Sequence, residues 1–105
     1  MISFLIYLSV SPKVQEKLRE ELAGKSEEDI LAGKIPYLEA CISETLRMNP
    51  PVPSGLPRTS PPEGILLSDG TRIPGGVNVL FPLYSVFRDP KIFYLPDKFW
   101  PERVC

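Results

Sequence analysis

The sequence predicts an α+β chain, helical over residues 1–49 and built of short β-strands and irregular loop over residues 50–105. Three observations carry this. Of thirteen prolines only Pro12 and Pro36 precede residue 50. Proline removes a backbone donor and clashes with the preceding helical turn, so the first part can hold long helices and the second cannot. Apolar residues recur every four positions in the first part and alternate in the second. Finally, Asp69-Gly70 stands between two apolar runs, the pattern of a tight β-hairpin. The expected layout is three helices, then a hairpin and short strands, then an irregular loop rich in proline and aromatic residues.

Residues 1–10 (MISFLIYLSV) open the chain as an apolar run. It is half as long as the roughly 20 residues a membrane span needs. It also lacks the basic start and small-residue cleavage site of a signal peptide. The last turns of a buried helix fit it better. Ser11-Pro12 reads as an N-cap followed by proline at the first helical position. Val14, Leu18 and Leu22 then make an i, i+4 stripe, with Lys17 and Glu21 on another face, and Gly24 ends the helix. Ser26 caps a short helical start whose first turn carries Glu27, Glu28 and Asp29, and Gly33 closes it. Pro36 opens the third main helix. Leu38, Cys41, Ile42 and Thr45 face one way along it, and Asn49-Pro50-Pro51 stops it. Beyond the hairpin, Gly75-Gly76 turns the chain, Val77, Val79 and Phe81 alternate as a half-buried strand, and Arg88-Asp89-Pro90 begins a turn or single-turn helix. Phe93, Tyr94, Phe99 and Trp100 lie in a loop too irregular to bury them locally, so they are expected to pack on other elements.

Composition excludes several chemistries. Twelve basic residues against thirteen acidic give a net charge of −1, without the basic patch a nucleic-acid partner needs. The absence of histidine removes Ser-His and Cys-His catalysis and imidazole ligation of metals. Two cysteines cannot make a structural zinc site unaided. Cys41 reads as a buried thiol within its helix, and Cys105 as a terminal thiol.

The most informative residues are Glu44 and Arg47, one helical turn apart on a single face. Two readings stand for them. Solvated, the pair contributes only about 0.2–0.5 kcal/mol. Buried, it needs further partners, because each charge loses its hydration. Arg103 is the candidate, since one carboxylate can accept from two guanidinium forks.

Five stretches stand in a fixed order: SPKVQEKLREEL, IPYLEACISETLRMNPPVP, GLPRTSPP, IPGGVNVLFPLYSVFRDPKIF and PDKFWPERV. In that order they resemble the cytochrome P-450 family of haem-thiolate monooxygenases. MNPPVPSGLPR and IPGG are similar to its eukaryotic, fungal-type members. The resemblance covers essentially all 105 residues and implies a C-terminal-half fragment of that mainly-α fold. Residues 1–10 would end its long central helix, residues 11–24 form the next, and residues 36–48 carry its Glu-x-x-Arg motif. It further implies that Glu44, Arg47 and Arg103 form the family's buried structural charge triad, which breaks no bonds. Arg58 stands where many members pair a cation with a haem propionate, a role its bidentate fork suits. A surface strand arginine explains Arg58 as well. Val52 and Leu56 fall in a loop that lines the substrate pocket of the family, and a buried loop contact accounts for them equally.

The implied cofactor is haem, and the implied partners are an NAD(P)H-dependent reductase and a small organic substrate that receives one atom of O₂. Eukaryotic members are typically held at the endoplasmic reticulum membrane by an anchor outside these residues. Two departures are conservative: Phe87 replaces the histidine common before Arg88-Asp89-Pro90, and Val104 the phenylalanine after Pro-Glu-Arg. The larger one is that Cys105 does not match the glycine-flanked cysteine that ligates iron and favours O–O cleavage. The acid-threonine pair that delivers protons to oxygen is not in these residues either. The expectation is a partial domain, inactive alone. Two other readings remain: a proline-rich interaction module using the P-x-x-P spacing of Pro50-Pro51-Val52-Pro53, and a remnant without function.

Overall fold

A computed structural model describes residues 2–104; Met1 and Cys105, and with Cys105 the expectation attached to it, lie outside the described residues. The helical part comprises α1 (Ile2–Ser9), α2 (Pro12–Ala23), α3 (Glu27–Leu31) and α4 (Pro36–Met48). Four two-residue strands follow, β1 (Arg58–Thr59), β2 (Ile65–Leu66), β3 (Arg72–Ile73) and β4 (Asn78–Val79). A short α5 (Leu83–Phe87) and a 3₁₀ turn (Pro101–Arg103) complete the set.

The helices begin where proline pre-sets the backbone. Pro12 and Pro36 both occupy the first turn, where a missing N–H costs nothing. Their ends are satisfied differently from expectation. The Ser11 hydroxyl makes no cap bond. By contrast, Ser26 caps α3 as its sequence predicts, its Oγ accepting from Asp29 N–H at 3.2 Å. The exposed N-terminus of α4 is met from outside: the Glu21 carboxylate on α2 accepts from Tyr37 N–H at 3.0 and 3.1 Å and from Leu38 N–H at 3.2 Å. An anion at a helix N-terminus is favoured by orphan donors and dipole together. Gly24 ends α2 in a right-handed conformation (φ −86°), whereas Gly33 leaves α3 in the left-handed region (φ +70°).

The core lies where α2, α4 and the 3₁₀ turn meet. Its buried apolar residues are Val14 and Leu18 of α2, Ala40, Cys41 and Met48 of α4, and Ile35. Leu22 and Ile42 do not join them: Ile42 is 41% exposed, because α4 turns the Ala40–Cys41–Glu44–Thr45–Arg47–Met48 face inward instead. Residues 2–9 are helical as expected but not buried: Ile2, Leu5 and Ile6 are more than half exposed. Tyr7 anchors α1 by stacking on Phe99, with ring centroids 4.8 Å apart and 7° between planes. Asn49 joins the ends of α1 and α4 by donating to Ser3 at 3.0 Å.

Two antiparallel ladders flank this core. β2 and β3 pair Ile65 with Ile73 and Leu66 with Arg72. Their connection is longer than the two-residue turn that Asp69-Gly70 advertises. Leu67 N–H bonds Thr71 O at 2.8 Å, Gly70 N–H bonds Leu67 O at 3.0 Å, and only Gly70 has positive φ (+87°). That is a three-residue loop with glycine in the left-handed position. β1 pairs with β4, Arg58 opposite Val79 and Thr59 opposite Asn78, so the 77–81 strand shrinks to two paired residues. Buried Ser60 ties the ladders by donating to Pro74 O at 2.6 Å and accepting from Val77 N–H at 3.1 Å. α5 is an element the sequence did not advertise.

Candidate functional site

One face of α4 carries two charges into the core. Glu44 is 1% exposed and Arg47 is 7% exposed. Their i, i+3 spacing brings both side chains to one side of the helix. The contact is bidentate: Arg47 Nε lies 2.8 Å from Glu44 Oε2, and Arg47 Nη2 lies 2.9 Å from Oε1. The structure also brings in Arg103, whose Nε donates to Glu44 Oε1 at 3.2 Å from 59 residues away. A third donor, the backbone N–H of Trp100, reaches the same oxygen at 3.0 Å. The carboxylate thus accepts from both guanidinium groups and the main chain, as a buried anion requires.

The remaining donors of the two arginines are met by carbonyls. Arg47 Nη1 donates to Phe87 O at 2.7 Å and its Nη2 to Lys98 O at 3.3 Å. Arg103 Nη1 donates to Tyr94 O, and its Nη2 to Leu95 O at 2.9 Å and Lys98 O at 3.4 Å. Lys98 O therefore serves both arginines. Leu95 holds φ +48°, the only positive value of a non-glycine residue among the described residues. That strained backbone presents two successive carbonyls to one guanidinium. Aromatic faces close the assembly: Phe93 lies 5.3 Å from the Arg47 guanidinium and Trp100 5.3 Å from that of Arg103. Phe93, Phe99 and Trp100 find packing partners, whereas Tyr94 stays 72% exposed.

Burial alone would push the Glu44 carboxyl up. The Arg47 hydrogen bond, the Trp100 N–H, the Arg47 charge and the Arg103 bond outweigh it and hold the pKa below its ordinary 4.5. A second carboxylate acts beside it. Glu102, on the 3₁₀ turn, pairs with Lys17 of α2 and accepts from the Tyr37 hydroxyl at 3.3 Å. Here too burial pushes up, and the Lys17 bond leads the contacts that bring the value down. Sequence reasoning missed this link and the Glu21 cap; Lys17 and Glu21, read together as one polar face of α2, were the available signal.

The other singled-out residues lie apart. Arg58 is exposed at the start of β1, and the bond recorded for its guanidinium is a local one, Nη1 to Pro57 O at 3.2 Å. Val52 is 36% and Leu56 56% exposed in the loop after α4. That loop is a turn: Pro50 is buried, Gly55 N–H bonds Val52 O at 2.9 Å, and Pro53 O accepts from Tyr84 N–H at 2.9 Å. Cys41 is fully buried. No cluster of three or more His, Cys, Asp or Glu side chains that could hold a metal ion occurs among the described residues.

The Glu44 carboxylate is thus shared by two arginines in a helical scaffold edged by two small antiparallel ladders. The chain belongs to the cytochrome P450 family, whose model matches residues 1–104. It is 44% identical over 103 residues to cytochrome P450 monooxygenase BOT1 of Botryotinia fuckeliana, covering 92% of this chain and 20% of that protein. Against cytochrome P450 monooxygenase orf5 of Eupenicillium brefeldianum it is 42% identical over 103 residues, covering 94% and 20%. A zebrafish cytochrome P450 structure with progesterone superimposes with a TM-score of 0.79 at 27% identity, over 97% of this chain and 25% of that one. The chain spans about a fifth of the length of the curated relatives it matches.

Proposed function

We propose that these residues are the scaffold segment of a haem-dependent monooxygenase, in which Glu44, Arg47 and Arg103 lock α4 to the 94–103 loop. The observation that carries this is the fourfold use of the Glu44 carboxylate by two guanidinium groups and the Trp100 N–H. Bound haem supplies the chemistry, insertion of one atom of O₂ into a small organic substrate, with electrons from an NAD(P)H-dependent reductase. The chain's own residues orient and hold. Arg58 presents an exposed planar fork that suits a propionate carboxylate. Val52 and Leu56 offer exposed apolar surface to a substrate cavity. Residues 1–49 and 50–105 act as the helical and the strand-and-loop parts of one partial domain.

The donor set fits the edge of a porphyrin and not its iron. Arg58 can take a propionate, whereas Cys41 is fully buried within α4. The 105 residues by themselves are therefore inactive in this reading. The folded-back conformation of residues 50–55 counts against an extended proline ligand. No described helix is long and apolar enough to cross a membrane.

Grafting residues 2–104 in place of the matching segment of the Botryotinia fuckeliana relative tests the proposal. The graft is expected to take up haem and to give a thiolate-type Soret band when reduced under carbon monoxide. The same graft with Glu44→Ala is expected to lose haem. A soluble graft that refuses haem, or a Glu44→Ala graft with normal haem content, would falsify it.

A further inference from the structure

Two guanidinium groups grip the junction of α4 and α5 from opposite sides, and only one belongs to the Glu44 cluster. Arg47 donates to the carbonyl of Phe87 at 2.7 Å. Arg88, the residue after Phe87, donates Nη2 back to the carbonyl of Met48, the residue after Arg47, at 3.0 Å. The two bonds are reciprocal. The same side chains then reach neighbouring residues of the next loop: Arg47 holds Lys98 O at 3.3 Å, and Arg88 Nη1 holds the Asp97 carboxylate at 2.8 Å. The Arg88 guanidinium lies 4.6 Å from the centre of the Tyr84 ring, so an aromatic face of α5 fixes its plane. Its Nε is buried and has no hydrogen-bond partner among the described residues. A buried donor left unmet raises the free energy of that arrangement. The position of Arg88 is thus set by the ring and the two other donors, not by the best solvation of its own charge.

We infer that Arg88 is a positioning residue: with Arg47 it forms a double clasp that fixes the 94–103 loop, so that the Trp100 N–H and the Arg103 guanidinium point at Glu44. Asp97 and Lys98 precede Trp100 by three and two residues, so holding them sets where the Trp100 N–H arrives. Asp97 is 84% exposed, and an ion pair in water is weak. The Met48 carbonyl and the Tyr84 face therefore carry most of the grip. Lysine cannot replace Arg88, because an ammonium has no plane to stack and no fork to divide between two acceptors.

Trp100 is the single tryptophan of the chain and sits in the loop being held, so its fluorescence reports the clasp directly. Acrylamide quenching of Trp100 in the 105-residue chain, with far-ultraviolet circular dichroism recorded alongside, tests the inference. Arg88→Gln is expected to raise the quenching constant about twofold or more while the helical signal stays; Arg47→Gln is expected to raise it too, with some loss of helical signal because it also strips Glu44 of its bidentate partner. The double variant is expected to rise no further than the larger single change, because both groups hold one junction. Asp97→Asn, and Arg72→Gln in the remote hairpin, are expected to leave quenching near the parent value. If Arg88→Gln also loses the helical signal, Tyr84→Leu decides, since it removes the ring yet leaves both arginines and their hydrogen-bond acceptors in place; it too is expected to open Trp100. The inference is overturned if Arg88→Gln leaves Trp100 as protected as in the parent, if the two arginine changes simply add, if Tyr84→Leu has no effect, or if Trp100 of the parent is already as open as free tryptophanamide.

Discussion

At the residue scale the decisive group is the Glu44 carboxylate, and its chemistry sets a pH dependence. Its pKa is depressed in the folded chain, so it contributes stability that is complete above the ordinary 4.5 and is lost as pH falls from there through the depressed value. Urea unfolding of the parent is expected to show a falling midpoint on acidification below about pH 4.5, and Glu44→Gln a flatter profile. An unchanged slope in the variant would remove Glu44 as the titrating group. Glu102 shifts in the same direction, but its side chain is 31% exposed, and solvent screening reduces its share. Truncating Glu44 to alanine strands two arginines in the core and is expected to cost about 3–5 kcal/mol, read as loss of the urea transition. How much of this was legible follows from what residues announce. The Glu44–Arg47 pair is written in the i, i+3 spacing. Arg103 is not, since nothing in spacing joins residues 59 apart; only the ordered motifs bring it in. The carbonyls of Phe87, Lys98, Tyr94 and Leu95 were invisible, because every residue has one and geometry alone selects these four.

At the element scale the sequence speaks clearly where a local rule decides and falls silent where packing does. Pro12, Pro36 and Ser26 start their helices at the expected places because backbone sterics and a short-range cap bond decide there. Hydrophobic spacing chose Ile42 for the core of α4, but the charge cluster draws the adjacent face inward and leaves Ile42 half in water. Asp69-Gly70 announced a hairpin correctly; its length escaped because a two-residue type I′ turn needs positive φ at both central positions, and Asp69 does not have it. α5 was hidden behind Pro82, which reads as the end of a strand and serves as the N-cap. The α2–α4 joint gives the first prediction at this scale. Glu21→Ala removes the anion from the α4 N-terminus, with an expected loss of about 1 kcal/mol in the urea midpoint analysis. A loss indistinguishable from zero would mean that water caps α4 equally well. A second concerns the loop after α4. Gly55 has φ +81°, and a Cβ there would fall 1.7 Å from Phe81 O. Gly55→Ala combines backbone strain with a backbone clash, so it is expected to cost well over about 1 kcal/mol, whereas Gly33→Ala, with open space around it, carries the strain alone.

At the scale of the whole molecule the surface is too large and too apolar for the mass. A compact monomer of 11.8 kDa is expected to expose about 5,900 Å². This chain exposes 7622 Å². The excess, about 1,700 Å², is about twice what one partner buries in a standard interface. The shape agrees: the radius of gyration is 18.4 Å, against about 13 Å for a compact domain of this length. Apolar side chains face outward on α1 through Ile2, Leu5 and Ile6 and on the strand-and-loop part through Leu66, Leu80 and Phe81. Patches of that kind bind other apolar surface when nothing covers them. The small core between α2, α4 and the 3₁₀ turn is well satisfied in hydrogen bonds, yet it must hold these flanking surfaces in water. The 105-residue chain is therefore expected to bind 8-anilinonaphthalene-1-sulfonate and to self-associate as its concentration rises, while the dilute chain keeps the urea transition of that core. The graft into the Botryotinia fuckeliana relative is expected to lose that dye binding as its neighbours cover the same faces. A chain that binds no dye, stays monomeric at high concentration and has a scattering radius of about 13 Å would show instead that these surfaces close on themselves.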